Sequence, residues 1–279
     1  MYTVLRIFNV SDEMVKEDIS DELSIEIETR LRNIVPSDLA EEFVGDKEKR
    51  VKNVYTLSGR HLWADSQSEI MERLKVIAPV LSYAKAHDAC MEINPGIFLK
   101  DYKNHNIIEI SCSSELIQIL SKYDMDFVLS MYSEEWKSRE LGDEIPEPIP
   151  PSPMNCILHV GNIGSKENFN QLIDKIHLCR VDIPMNINEP YIERQNLAIM
   201  LSKMPGWYNN HNGIIETLVV ISSALSFASG LGASFEITIP FDMAEYRHRN
   251  VTWFSFGDNF IQALAKFDMK FTATISLLG

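Results

Sequence analysis

The chain has 279 residues, 45% of them apolar and 24% charged, the proportions of a folded globular protein rather than a disordered or membrane-embedded one. Forty acidic against 26 basic residues leave a formal charge of −14, which argues against a nucleic-acid binder, whose phosphate contacts need clustered Lys and Arg, and suits a basic partner. Four cysteines with no C-x-x-C pair give no disulfide framework, and the start lacks a signal-peptide pattern, so a reducing, cytoplasmic setting is expected.

In chain order, MYTVLRIFNV (1–10) alternates apolar and polar residues like a strand. The run DEMVKEDISDELSIEIE then sets Asp12, Glu13, Glu17, Asp18, Asp21, Glu22, Glu26 and Glu28 against Lys16 alone. A strand is expected near 52–58. Ile70, Leu74, Ile77, Leu81 and Ala84 follow helical spacing and predict one long helix over about 66–87. Two strands joined by DYKNHN (101–106) read as a hairpin. A short amphipathic helix follows in SSELIQILSKYD, with Ser114 as N-cap and Leu116, Ile119, Leu120 and Tyr123 as its apolar stripe. Asp124 closes it at a turn, where its carboxylate is expected to accept backbone hydrogen bonds. Met125, Phe127, Leu129 and Met131 then alternate through a strand with one wet face.

The second half repeats the first. CSSELIQILSKYDMDFVLSMY (112–132) lies over FGDNFIQALAKFDMKFTATIS (256–276) at an offset of 144, so that Ile117, Gln118, Leu120, Asp124 and Phe127 recur as Ile261, Gln262, Leu264, Asp268 and Phe271. The same offset aligns SYAKAHDACMEI (82–93) with SFASGLGASFEI (226–237), DYKNHN with EYRHRN (245–250), and Trp63 with Trp207. VLRIFNV (4–10) matches ILHVGNI (157–163) at an offset of 153, which makes the first copy longer by nine residues between positions 10 and 57. Pro146, Pro148, Pro150, Pro151 and Pro153 lie between the copies and read as a semi-rigid tether. The expected organisation is therefore a first domain at 1–135, a linker at 136–153 and a second domain at 154–279. Each domain is expected to be a mostly antiparallel sheet with helices on one side, an α+β fold.

From Thr217 to Phe235 the chain carries no charge. Its counterpart in the first copy carries Arg73, Lys75, Lys85 and Asp88, and one repeated fold should not be soluble once and membranous once. The stretch is read as a helix buried more completely than its twin, with Gly230 and Gly232 as C-caps, and not as a membrane span.

The chemistry-bearing residues are scattered. His61, His87, His105, His159, His177, His211 and His248 show no metal-ligand spacing, and the pairs His87–Cys90 and His177–Cys179 lack further partners, so no metal or cofactor is expected. There is no G-x-S-x-G, and GNIG (161–164) is too short for a dinucleotide fingerprint. Glu92 and Glu236 recur at one position, either as general bases of raised pKa or, more simply, as solvent-facing carboxylates or partners of nearby cations. Trp63 and Trp207 read as core anchors.

Charge separates the copies. Residues 1–150 hold 17 bases and 29 acids, and residues 151–279 hold 9 and 11. The stretch SKENFNQLIDKIHL (165–178), matching the acidic run, balances Glu167 and Asp174 with Lys166 and Lys175, so the fold does not require the acidity. It is available for recognition, where it would steer a basic partner, with Glu134 and Glu135 beside Trp136 adding to the same face.

The helix, aromatic–Asp turn and final strand of SELIQILSKYDMDFVLSMY and NFIQALAKFDMKFTATIS resemble those of a bacterial family of uncharacterised α+β domains that occur among immunity proteins of toxin systems. The resemblance covers about half of each copy. It implies the immunity partner of a contact-dependent growth inhibition toxin, commonly a basic nuclease such as an RNase, whose active site the protein would cover. It supplies no catalytic residues. The expected chain is a non-enzymatic binder of a basic protein toxin, without direct contact to nucleic acid or membrane. The alternative is an enzyme or ligand-binding protein with a site between the repeats, using Glu92, Glu236, Tyr102 or Tyr246.

Overall fold

The computed structural model describes residues 2–8, 53–59, 63–102, 104–132, 152–179, 196–246 and 251–277. The first copy runs β1 (Tyr2–Phe8), β2 (Asn53–Ser58), α1 (Trp63–Val76), α2 (Ala78–Ala86), β3 (Cys90–Phe98), β4 (Ile107–Cys112), α3 (Ser114–Lys122) and β5 (Met125–Tyr132). The second runs β6 (Pro153–Gly161), α4 (Lys166–Leu178), β7 (Leu197–Pro205), α5 (Trp207–Val220), α6 (Ser222–Gly230), β8 (Ser234–Asp242), β9 (Val251–Phe256), α7 (Asp258–Ala265) and β10 (Lys270–Ser276). Short 3-10 turns, Leu99–Tyr102 and Met243–Tyr246, follow β3 and β8. The class is α+β, with two sheets.

The strands order as β2-β1-β3-β5-β9 in one sheet and β4-β10-β8-β6-β7 in the other. In each, the central strand runs antiparallel to the opening strand of its copy and parallel to the last: β3 with β1 and β5, β8 with β6 and β10. The hairpin expected around residues 101–106 is absent. β3 already has β1 on one side and β5 on the other, which leaves no free edge for β4. Instead β4 pairs antiparallel with β10 of the second copy, Cys112 opposite Phe271 and Ile107 opposite Ser276. β9 of the second copy lies beside β5 of the first. The compact units follow this exchange: one comprises Met1–Phe98, Ile119–Tyr132 and Trp253–Asp258, the other Leu99–Gln118, Ser133–Thr252 and Asn259–Gly279.

Alternation then assigns faces. Met91, Ile93, Phe127, Leu129, Phe254 and Phe256 are buried on the helix side of the first sheet, and Phe127 meets both Trp63 of α1 and Phe256 of β9 edge-on at 5.7 and 5.8 Å. Trp207 sits likewise against Phe241 and Phe260 in the second unit. Both tryptophans are core anchors, 5% and 8% exposed.

The single long helix expected in each copy is two. α1 and α2 break at Ile77, and α5 and α6 break at its counterpart Ile221, where the axis bends by 65°. Pro79 is not the cause, because the second copy has Ser223 there and bends all the same. Both isoleucines are buried at the corner, 8% and 0% exposed, so the bend is held by packing. Nor is α6 buried more completely than its twin: Ala224, Leu225 and Ala228 are covered, as Val80, Leu81 and Ala84 are, while Val219 and Val220 at the end of α5 are exposed. Among the described residues no single helix is long and apolar enough to cross a membrane.

Four helix ends turn through a left-handed residue. Ala89 N–H returns to Ala84 O and Ala233 N–H to Ala228 O, with Asp88 and Gly232 in the left-handed region (φ 56° and 78°). Asp124 and Asp268 take the same conformation after α3 and α7, so their backbone turns the chain while Asp124 spends its carboxylate on Lys85, 2.7 Å away. Gly230 remains helical. At the start of α3 the cap is Ser113, whose hydroxyl accepts from Leu116 N–H at 3.3 Å, and Ser114 is the first helical residue. Ile117 takes the buried place expected of Ile119.

Candidate functional site

The acidic residues singled out for partner binding, Asp12, Glu13, Glu17, Asp18, Asp21, Glu22, Glu26, Glu28, Glu134 and Glu135, lie outside the described residues. The recurrent carboxylates Glu92 and Glu236 lie within them. Each stands on the central strand of its sheet, on the face away from the helices, in a row that register assembles from three strands. In the first sheet Glu92 is opposite Arg6 on β1 and beside Asp126 on β5. In the second, Glu236 is opposite His159 on β6 and beside Lys270 on β10.

The two rows are the same positions with different charges. Arg6 donates to Glu92 Oε1 at 2.7 Å. In the second row Lys270 Nζ lies 2.7 Å from Glu236 Oε2, and Thr272 donates to Glu236 Oε1 at 2.8 Å. Thr272 has only one proton to give, so at its 2.5 Å contact with Ser111 it accepts, and a directed chain runs from Ser111 on β4 through Thr272 to Glu236. Half-burial alone would lift the Glu236 carboxyl. The hydrogen bonds from Lys270 and Thr272, with the charges of Lys270 and His159, outweigh that and hold it below the ordinary glutamate range. A general base poised near neutrality needs the opposite shift. His159 is pushed down by burial and, less, by Lys270, against the pull of Glu236.

Asp126 occupies the place of Lys270 and reverses its charge, while Arg6 stands where the second row has His159. Asp126 Oδ1 accepts from Asp258 N–H at 2.7 Å and so caps the N-terminus of α7. Burial raises its pKa, and the neighbouring charges of Asp258 and Glu92 raise it further, against the pull of that cap. Among the described residues no cation pairs with it. Sequence reasoning noticed Glu92 and Glu236 but missed Arg6, His159, Asp126 and Lys270. The signal was present in the alignment of the copies, where offset 153 equates Arg6 with His159 and offset 144 equates Asp126 with Lys270.

Other candidates are accounted for locally. His87 Nδ1 lies 2.8 Å from Tyr83 O, and Cys179 donates to Lys175 O at 3.2 Å. Among the described residues no three His, Cys, Asp or Glu side chains converge to hold a metal. The Cys156 thiol is pushed up to about 12 by burial, and Cys112 well above its ordinary value for the same reason. Tyr102 ends the 3-10 turn after β3 with its ring 5.7 Å from His105, and Tyr246 ends the matching turn after β8. Beside Tyr246, Glu245 is 6% exposed and accepts from Ser152 N–H at 2.7 Å, a fastening for the start of β6 that no sequence pattern announced.

No family model matches the chain, and no curated protein or solved structure resembles it significantly.

Proposed function

We propose that the chain is a cytoplasmic, non-enzymatic immunity protein that binds and neutralises a basic protein toxin of the contact-dependent growth inhibition type, a nuclease such as an RNase, by covering its active site. The observation that carries the reading is the charge difference between two copies of one fold: a surplus of twelve acids in residues 1–150 against two in residues 151–279. A fold that closes without the surplus leaves it free for a partner, and carboxylate–Arg and carboxylate–Lys bonds at an interface are directional and charge-assisted. The interface would use Asp12, Glu13, Glu17, Asp18, Asp21, Glu22, Glu26 and Glu28, helped by Glu134 and Glu135. Asp126 in place of Lys270 outweighs Arg6 in place of His159 and leaves the first row more negative, which supports the same direction of charge, and the ionised, paired state of Glu236 fits a binding role better than proton transfer.

The test is native co-purification from the producing cell. Recovery of a basic protein whose nuclease or growth-inhibiting activity disappears in the complex supports the reading. Turnover of a small molecule by the purified chain, or a toxin left fully active in its presence, overturns it.

A further inference from the structure

Exposed apolar side chains scattered singly over a protein surface need no explanation. On α5 they are not scattered. Tyr208 is 80% exposed, Val219 65% and its neighbour Val220 45%, with half-buried Ile215 between them. Together with exposed Asn212 they fall at 208, 212, 215 and 219, the four-three-four spacing of a seam by which one helix packs along another. The opposite side of α5, through Trp207, Asn210, Ile214 and Leu218, is buried in its own unit. The matching seam on α1 reads Ala64, Ser68, Met71 and Lys75, with Glu72 beside it, so the fold does not require an apolar stripe here. No Lys or Arg occurs between Lys203 and Arg247, which leaves the stripe nothing to offer an anionic lipid or a phosphate. Glu216 is the one carboxylate on α5, too little to select a basic protein.

We propose that this stripe is a weak homodimer contact, occupied by α5 of a second copy of this chain running antiparallel across a two-fold axis. Such an axis sets Tyr208 over Val219 of the second copy and Asn212 beside its Ile215. The two Asn212 amides flank the axis, where each can donate to the other's oxygen, since an amide both gives and accepts. Glu216 comes beside Asn209 of the second copy, whereas a parallel pairing would bring the two Glu216 carboxylates together. The repeats that meet are the nearly neutral ones, with 9 bases and 11 acids in residues 151–279, so a chain of charge −14 can approach itself here. A helix of 14 residues offers a contact of about 21 Å by about 10–12 Å. That is well below the roughly 800 Å² per partner of a stable complex, so dissociation is expected at or above about 100 μM. The contact goes beyond the toxin reading and is independent of it, because it uses none of the acidic run.

Sedimentation velocity of the full chain, from about 1 μM to about 500 μM, tests the proposal. The weight-average mass should climb from that of one chain towards two, and added salt should not reverse the rise, because an apolar contact is not screened. Val219→Lys places a cation on the seam of each copy and should weaken dimerisation about tenfold or more. Tyr208→Ser should act in the same direction by removing the ring. Both side chains are exposed, so both variants should melt with the parent. Val76→Lys, the same change at a 57% exposed valine of α1, should alter dimerisation less than about twofold. A mass that stays that of one chain throughout overturns the proposal. So does a rise that Val219→Lys and Tyr208→Ser leave untouched, or one that Val76→Lys reduces as much as Val219→Lys does.

Discussion

Cutting the chain between its repeats tests the exchange of strands. A protease site introduced at Pro150 and Pro151 would release two fragments with no disulfide between them, since all four cysteines are free. The first fragment leaves β4 in the second sheet, where Ile108 and Ile110 are at most 4% exposed. The second leaves β9 in the first sheet, where Phe254 and Phe256 are at most 2% exposed. Burial of those four side chains is worth about 1.5–3 kcal/mol each, or roughly 6–12 kcal/mol together. Ladder hydrogen bonds add about 0.5–1.5 kcal/mol apiece. Together these are comparable with the roughly 4–15 kcal/mol that association costs, so retention depends on both strands being seated. The cut protein should therefore elute as one species in size-exclusion chromatography at tens of micromolar, and separate only in denaturant. Phe254→Ala combined with Phe256→Ala, at about 3–5 kcal/mol each, should let the fragments part after cleavage. Two fragments that separate without denaturant, each keeping a cooperative unfolding transition, would refute the exchanged topology.

Three further outcomes follow from local structure. Asp88→Gly should stabilise the protein by about 0.5–1 kcal/mol in thermal melts, because Gly232 already occupies the matching left-handed site without a side-chain penalty, and Gly232→Ala should cost a similar amount or more. Acidification from neutrality should lower stability in two stages: His159 and Glu236 both titrate lower folded than unfolded, so what they contribute is full above about pH 6.5 and about pH 4.3 respectively and is lost as pH falls below each. His159→Gln should shrink the upper stage of a pH series of urea melts to the share that half-buried His211 contributes, and should lessen the lower one, because the charge of His159 helps hold Glu236 down. With a thiol reagent at mildly alkaline pH, exposed Cys90 should react in the native protein, whereas Cys112 and Cys156 should react only on unfolding.

What the sequence disclosed and what it withheld have physical reasons. Alternation in β5 and β10 and helical spacing through Ile70, Leu74, Ile77 and Leu81 report burial, and those residues are buried. β5 lacks the wet face expected of it, however, since Val128 and Ser130 between its apolar positions are buried too. Burial periodicity says nothing about direction. Ile77 and Ile221 continue the apolar spacing through a sharp corner, so two helices looked like one. Alternation also does not name the strand across the ladder. The residues of β4 and β9 would be equally satisfied in a local hairpin, and only the occupation of both edges of β3 and β8 sends them to the other copy. The functional rows were half visible for the same reason. Glu92 and Glu236 stood out as repeats, but their partners come from β1, β5, β6 and β10, and register alone brings Arg6, Asp126, His159 and Lys270 beside them.

The charge on the first repeat is best tested by the rate at which the captured basic protein associates, measured by stopped flow at several salt concentrations. Reversing Asp12, Glu13, Glu17 and Asp18 to Lys together should slow association by about tenfold or more and flatten its dependence on salt, with the unfolding transition unchanged. Association that keeps its rate and its salt dependence after those reversals would contradict an acidic first repeat built to grip a basic toxin.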